Sequence, residues 1–257
     1  MFHHEGQHRT DHHNQLLAGY LALVAGLVNS SGFILIGTFT SHVTGNVGRM
    51  ADNLALGHGE AALLAATMIG AFFLGAFLAS MALESNATRR KPMVYALLLF
   101  GEACHLGAFY VLARHVDASQ PRLLDAIALL LCTAMGLQNS LVTRLSGAVV
   151  RTTHLTGVVT DLGIEAARWF RFWRAQLGEH TQLRLTLGTN PPALPHAPKT
   201  YLLLTILLAF VSGSAIGAVL AMSVRQAAIL LPIVLLIGGG LYSMFGGPDL
   251  VEEGSRK

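Results

Sequence analysis

Gly26-Leu27-Val28-Asn29-Ser30 and Thr40-Ser41-His42-Val43-Thr44-Gly45 return, in the same order, as Gly136-Leu137-Gln138-Asn139-Ser140 and Thr152-Thr153-His154-Leu155-Thr156-Gly157. The two polar words recur at offsets of 110 and 112 residues. A weaker echo follows, Gly75-Ala76-Phe77-Leu78-Ala79 against Gly217-Ala218-Val219-Leu220-Ala221. Chance rarely repeats two uncommon polar words in one order at nearly one spacing, so the chain reads as a duplication.

Around these words lie six apolar stretches: Leu16–Gly37, Ala61–Leu83, Met93–Ala113, Ala126–Thr143, Thr200–Val224 and Gln226–Gly246. About 20 apolar residues cross a hydrocarbon core as a helix. Lipid offers no hydrogen bonds to stray backbone groups, so spans of this kind must be helical. Each copy of the repeat holds three of them. An odd number forces the second copy to insert upside down, which is the inverted-topology plan of many secondary transporters. The expected fold class is therefore all-α: a polytopic membrane helix bundle of six transmembrane helices, arranged as two inverted-topology three-helix repeats with re-entrant or interfacial half-helices. The expected organisation is a His-rich disordered tail over 1–15, repeats over 16–113 and 114–246, and a second tail over 247–257. A Pro-rich linker over 175–199 interrupts the second repeat.

Composition agrees with this environment. Of 257 residues, 53% are hydrophobic and 12% charged, with a mean hydropathy of +0.53. Soluble domains carry about 25% charged residues, so an ordinary water-soluble enzyme and a disordered chain are both excluded. The net charge of +3 comes from basic residues that form no continuous patch, so nucleic acid is not an expected partner. Cys104 and Cys132 lie in apolar runs, where cysteine is usually a small buried hydrophobe. Thirteen of the 17 Lys and Arg residues fall on one side of the expected topology. The positive-inside bias then puts both termini in the cytoplasm of an inner-membrane protein. The first span follows a polar tail and has no small-residue cleavage site, so it is expected to stay as a membrane anchor. Arg168-Trp169-Phe170-Arg171-Phe172-Trp173-Arg174 fits an interfacial anchor.

The Thr-Ser/Thr-His-x-Thr-Gly word is the most informative site candidate. Each copy follows a span and precedes a segment too polar to cross. Thr and Ser are good N-caps, so each word can begin a helix whose free N–H groups hold a polar or anionic group. Re-entrant and surface-lying amphipathic geometries are both open; Val47, Met50 and Leu54 would form the apolar face of the second. The candidate solute-lining residues are Asn29, Ser30, Thr40, His42, Thr44, Asn46, Gln138, Asn139, Thr153, His154 and Thr156. Arg151 and Asp161 are expected at the cytoplasmic mouth. Buried amides in lipid either tie helices together or face a polar cavity. Two symmetric histidines supply too few ligands for a metal site, and no cofactor is expected. The N-terminal histidines His3, His4, His8, His12 and His13 could hold a transition metal weakly. Glu102 with His105 at i+3, inside a span, is a candidate proton relay, because an intramembrane carboxylate normally faces the bundle interior. Small residues at Gly70, Gly75 and Ala79, and at Gly213, Gly217 and Ala221, are the expected contacts between halves.

The words at 25–29 and 40–46, together with Gly136-Leu137-Gln138-Asn139 and Val150-Arg151-Thr152-Thr153-His154-Leu155-Thr156-Gly157 through Thr160-Asp161-Leu162-Gly163, resemble the YoaK family of bacterial membrane proteins over about residues 16–246. The resemblance implies a multi-pass inner-membrane protein and no reaction, since that family is classed as a domain of unknown function. The leading functional expectation is a secondary permease or exporter of a small polar solute, proton-coupled, working by alternating access. A non-transporting structural or regulatory membrane protein is the alternative. A membrane-embedded enzyme ranks below both, because no GxSxG or HExxH motif is present. Expected partners are membrane lipid and an unidentified small polar solute, with a homo-oligomer left open.

Overall fold

The computed structural model describes residues 11–85, 91–116, 120–146, 152–177, 194–195 and 197–245. Among these every regular element is a helix: α1 (Asp11–Ile36), α2 (Val43–Ala55), α3 (Gly59–Ser85), α4 (Lys91–Ala113), α5 (Pro121–Leu145), α6 (Leu155–Leu177), α7 (Ala197–Val224) and α8 (Leu230–Phe245). A 3-10 turn over Arg225–Ile229 joins the last two.

Five helical stretches are long and apolar enough to cross a membrane, the build of a multi-pass membrane protein. The six separate spans expected from the sequence are corrected here. The last two, α7 and α8, follow each other through a 3-10 turn with no loop between them, and together make one helical stretch, Ala197–Phe245, of 49 residues. The physical reason is local. Arg225 takes a left-handed φ of 53°, and the chain changes direction inside a tight 3-10 turn rather than in a loop. Alone, α8 has 16 residues, about 24 Å at 1.5 Å per residue, short of a core about 30 Å thick. Residues 11–15 of the tail expected over 1–15 belong to α1, while residues 1–10, most of the 175–199 linker and the 247–257 tail lie outside the described residues.

The helices pack in three pairs. α1 runs parallel to α7: Gly19 meets Thr205, Gly26 meets Phe210, and the Ser31 hydroxyl donates to the Gly217 carbonyl at 3.1 Å. α3 runs parallel to α5, with Glu60 beside Arg122 at one end and Glu84 beside Arg144 at the other. α4 runs antiparallel to α8: Ser243 donates to the Pro92 carbonyl at 2.8 Å and Gln226 to the Ala113 carbonyl at 3.2 Å. Gln138 crosses from α5 to the Leu21 carbonyl of α1 at 2.6 Å.

Two of the pairs depend on absent side chains. A Cβ on Gly75 would run into the Thr133 carbonyl, and one on Gly136 into the Phe72 carbonyl. Across the other pair, Gly26 faces the Phe210 carbonyl, while Gly213 and Gly217 face Leu23 and Leu27. Such backbone-to-backbone approach gives dispersion contacts where lipid removes the hydrophobic drive between helices. Gly70, expected in the same stripe, instead looks into open space. Leu17, Leu21, Leu131, Met135 and Phe109 fill the core, and Leu63, Phe73, Leu208, Met222 and Val234 form part of an exposed apolar belt.

Candidate functional site

Each repeated word folds onto its own copy. α1 ends at Gly37, whose φ of 73° sits in the left-handed region and whose N–H closes on the Phe33 carbonyl at 2.8 Å. The chain then doubles back along α1. Thr40 packs its methyl on Gly32, and the Ser41 hydroxyl donates to Asn29 Oδ1 at 3.0 Å. α2 thus begins level with Asn29, about 10 Å back from the end of α1 at 1.5 Å per residue. In the second copy, Thr153 Oγ1 donates to Asn139 Oδ1 at 2.7 Å. α6 likewise begins about 9 Å back from the end of α5. The first word is the anchor for the second.

Both histidines sit alike. His42 precedes α2 and its ring lies over Gly45; His154 precedes α6 and its ring lies over Gly157. A side chain at either glycine would strike the ring, so the Thr-Gly of the word is a seat for the imidazole. His42, Thr44, His154 and Thr156 are exposed. Thr40 and Thr152 are buried at 2% and 0% exposure, and neither hydroxyl has a partner among the described residues. Ser30 is half-buried. Gln138 spends its amide N–H on α1. Arg151 lies outside the described residues.

The structure does not bring the two histidine words together. α2 packs on α3 and α6 packs on α7, and α2 and α6 are not a packed pair. A cleft of about 280 Å³ opens beside α2, lined by Phe33, Gly37, Thr38, Phe39, His42, Gly45, Asn46 and Arg49. It belongs wholly to the first half. Phe33 and Phe39 stack at 4.3 Å, Phe39 stands edge-on to His42 at 6.4 Å, and Arg49 Nη1 donates to Thr38 Oγ1 at 3.0 Å.

The corresponding surface of α6 is differently charged. Asp161 occupies the place of Arg49 and Val158 that of Asn46. Lys199, from the start of α7, approaches Asp161 at 3.9 Å and Glu165 at 3.3 Å, and Arg168 reaches Glu165 at 2.8 Å. The buried Glu165 is thereby held between two cations, and α6 is latched to α7. Trp169 Nε1 adds a bond to Thr200 Oγ1 at 3.2 Å. Sequence reading missed this latch. Its i,i+3 half, Glu165 with Arg168, was visible, but Lys199 lies beyond the Pro-rich segment.

Glu102 is 1% exposed, and neither carboxyl oxygen has a hydrogen-bond partner among the described residues. His105 does not meet it; its Nδ1 lies 2.8 Å from the Gly101 carbonyl. The expected relay pair is therefore not joined. Tyr20, from α1, donates its hydroxyl to the Leu235 carbonyl of α8 nearby. Among the described residues no cluster of three His, Cys, Asp or Glu side chains could hold a metal ion.

A family described as a protein of unknown function (DUF1275) matches residues 17–242, nearly the whole chain, and the chain belongs to it. No curated protein and no solved structure matches.

Proposed function

We propose that this family member is a secondary permease of the YoaK type, moving a small polar solute across the inner membrane. Its two inverted-topology halves, 16–113 and 114–246, would rock against each other in alternating access. One observation carries the reading. Both α2 and α6 begin about two turns back along α1 and α5 from the ends of those helices, each tied there by the asparagine of its own repeated word. A helix start at depth presents free N–H groups and a partial positive charge, the device carriers use on polar or anionic solutes.

Helix directions support the inversion. If the second copy inserts upside down, the first span of one copy points the same way as the second span of the other. The parallel pairs α1 with α7 and α3 with α5 have that relation. Lys and Arg distribution favours cytoplasmic termini. Glu102 is the residue we assign to a coupling proton, because an unpaired carboxyl in a dry bundle is costly unless it is neutral or used. His105 has no part in that assignment, since it turns to its own helix. No enzymatic step and no cofactor enter this reading.

The alternative, a non-transporting membrane scaffold, draws on the closed packing between the halves, where Gly75 and Gly136 leave no room for a side chain. Flux separates the two. Purified chain in sealed liposomes, given a panel of labelled small polar solutes under an imposed proton gradient, should accumulate at least one. Substituting Glu102→Gln should abolish the gradient dependence and leave exchange. Absence of flux for every solute under proton, sodium and potassium gradients would leave the scaffold reading standing.

A further inference from the structure

The geometry points to the cleft beside α2 as a recognition site for a small oxyanion, a carboxylate or phosphate head, with its apolar part against Phe33 and Phe39. It names a solute class for the site of the proposed permease and rests on that reading for transport, though not for binding. Three observations converge. Arg49 gives one N–H to Thr38 Oγ1 and makes no ion pair among the described residues. A guanidinium carries five donors, so most of its capacity is open towards the cleft. Asn46 is 5% exposed and lines the same cleft, and its side-chain amide has no hydrogen-bond partner among the described residues. Its polar atoms keep contact with open space, so an oxyanion in the cleft would accept the Asn46 N–H. The first turn of α2, beneath the His42 ring, lines the cleft at Gly45 and Asn46 and so brings the positive end of a 13-residue helix beside it.

Size and walls limit the occupant. At about 30 Å³ per water, the 280 Å³ cleft equals roughly nine waters, room for a single-ring carboxylate or a lipid headgroup. The stacked Phe33–Phe39 pair makes one wall flat and aromatic. The matching surface of α6 carries Asp161 and Val158 in place of Arg49 and Asn46. It lacks both donors, and its own charges are matched by Lys199 and Arg168. The device belongs to one half alone.

The test uses the full chain in nanodiscs of phosphatidylcholine, with 4-fluorobenzoate followed by fluorine NMR and inorganic phosphate as competitor. Saturable 4-fluorobenzoate binding is expected, displaced by phosphate. Arg49→Gln and Asn46→Val should each weaken it at least tenfold, Arg49→Lys less, and Asp161→Asn not at all. A second set of nanodiscs containing phosphatidylglycerol separates the sources. If the anionic lipid displaces the probe from wild type, a headgroup is the resident oxyanion; if it does not, the site is for a soluble one. No saturable binding of either probe in phosphatidylcholine, with no added thermal stability from phosphatidylglycerol, would overturn the assignment. So would equal probe affinity in wild type and in an Arg49→Gln protein with unchanged helical content. Because binding is read at equilibrium, a site that binds without flux would sink the permease and spare this inference.

Discussion

α2 and α6 start alike and end differently. Each is entered through a backward loop, held by an asparagine–hydroxyl bond, and headed by a histidine folded over a glycine. Beyond that first turn the likeness stops. α2 is a 13-residue helix whose arginine and buried asparagine face an open cleft. α6 has 23 residues and is latched to α7 through Glu165, Lys199 and Arg168. One half spends its polar groups on the protein and the other leaves them available. In duplicated chains, geometry can be kept while the chemistry of one copy is released for a ligand.

The comparison breaks most severely at the glycines that both halves share. Gly136→Leu should cost at least about 3 kcal/mol, the upper end for overpacking, because the new side chain meets the Phe72 carbonyl rather than a movable group. Gly26→Leu should behave the same way against Phe210, and thermal unfolding in detergent would read both. Equal tolerance of leucine at the two positions would show that the helix crossings are looser than drawn.

Next comes the latch. Glu165→Gln should lose about 2 kcal/mol, below the 3–5 kcal/mol of a fully buried broken pair because Lys199 and Arg168 are partly solvated. Arg49→Gln in the other half should change unfolding by less than about 0.5 kcal/mol, as surface substitutions do. Similar losses from the two substitutions would erase the contrast between a clamped half and an open one. Asn29→Ala and Asn139→Ala should each cost about 1 kcal/mol, the usual worth of a polar tie between membrane helices. Each should speed hydrogen exchange in the half-helix that follows it, and leave the other unchanged. The smallest effect belongs to the rim: Arg122→Gln removes an ion pair to Glu60 whose side chains are 86% and 87% exposed. Its cost should fall below about 0.5 kcal/mol by chemical denaturation.

Much of the candidate site was legible because the chain writes it twice. The repeated Asn29 and Asn139, the histidines and the Thr-Gly pairs all proved to be parts of one local device. What could not be read was their destination. Asn29 and Asn139 were as compatible with a shared cavity as with local ties, since an amide's partner depends on which atoms come within about 3 Å. The Glu102–His105 pairing failed for a related reason. Spacing of i+3 puts two residues on one helical face, but His105 found the Gly101 carbonyl of its own helix first. The boundary at Arg225 between the last two spans was legible, but its form was not, because a left-handed residue leading into a 3-10 turn carries no sequence signature of its own.

Apolar length was enough by itself to define an all-helical membrane chain. This follows from lipid's inability to hydrogen-bond the backbone, a constraint that acts on every residue regardless of partners. Tertiary structure alone decided that the histidine words stay apart, that Glu165 is clamped and that Arg49 is free to meet a ligand. Those outcomes turn on close contacts between residues far apart in the chain, and contact energies vanish within a few ångströms of misplacement.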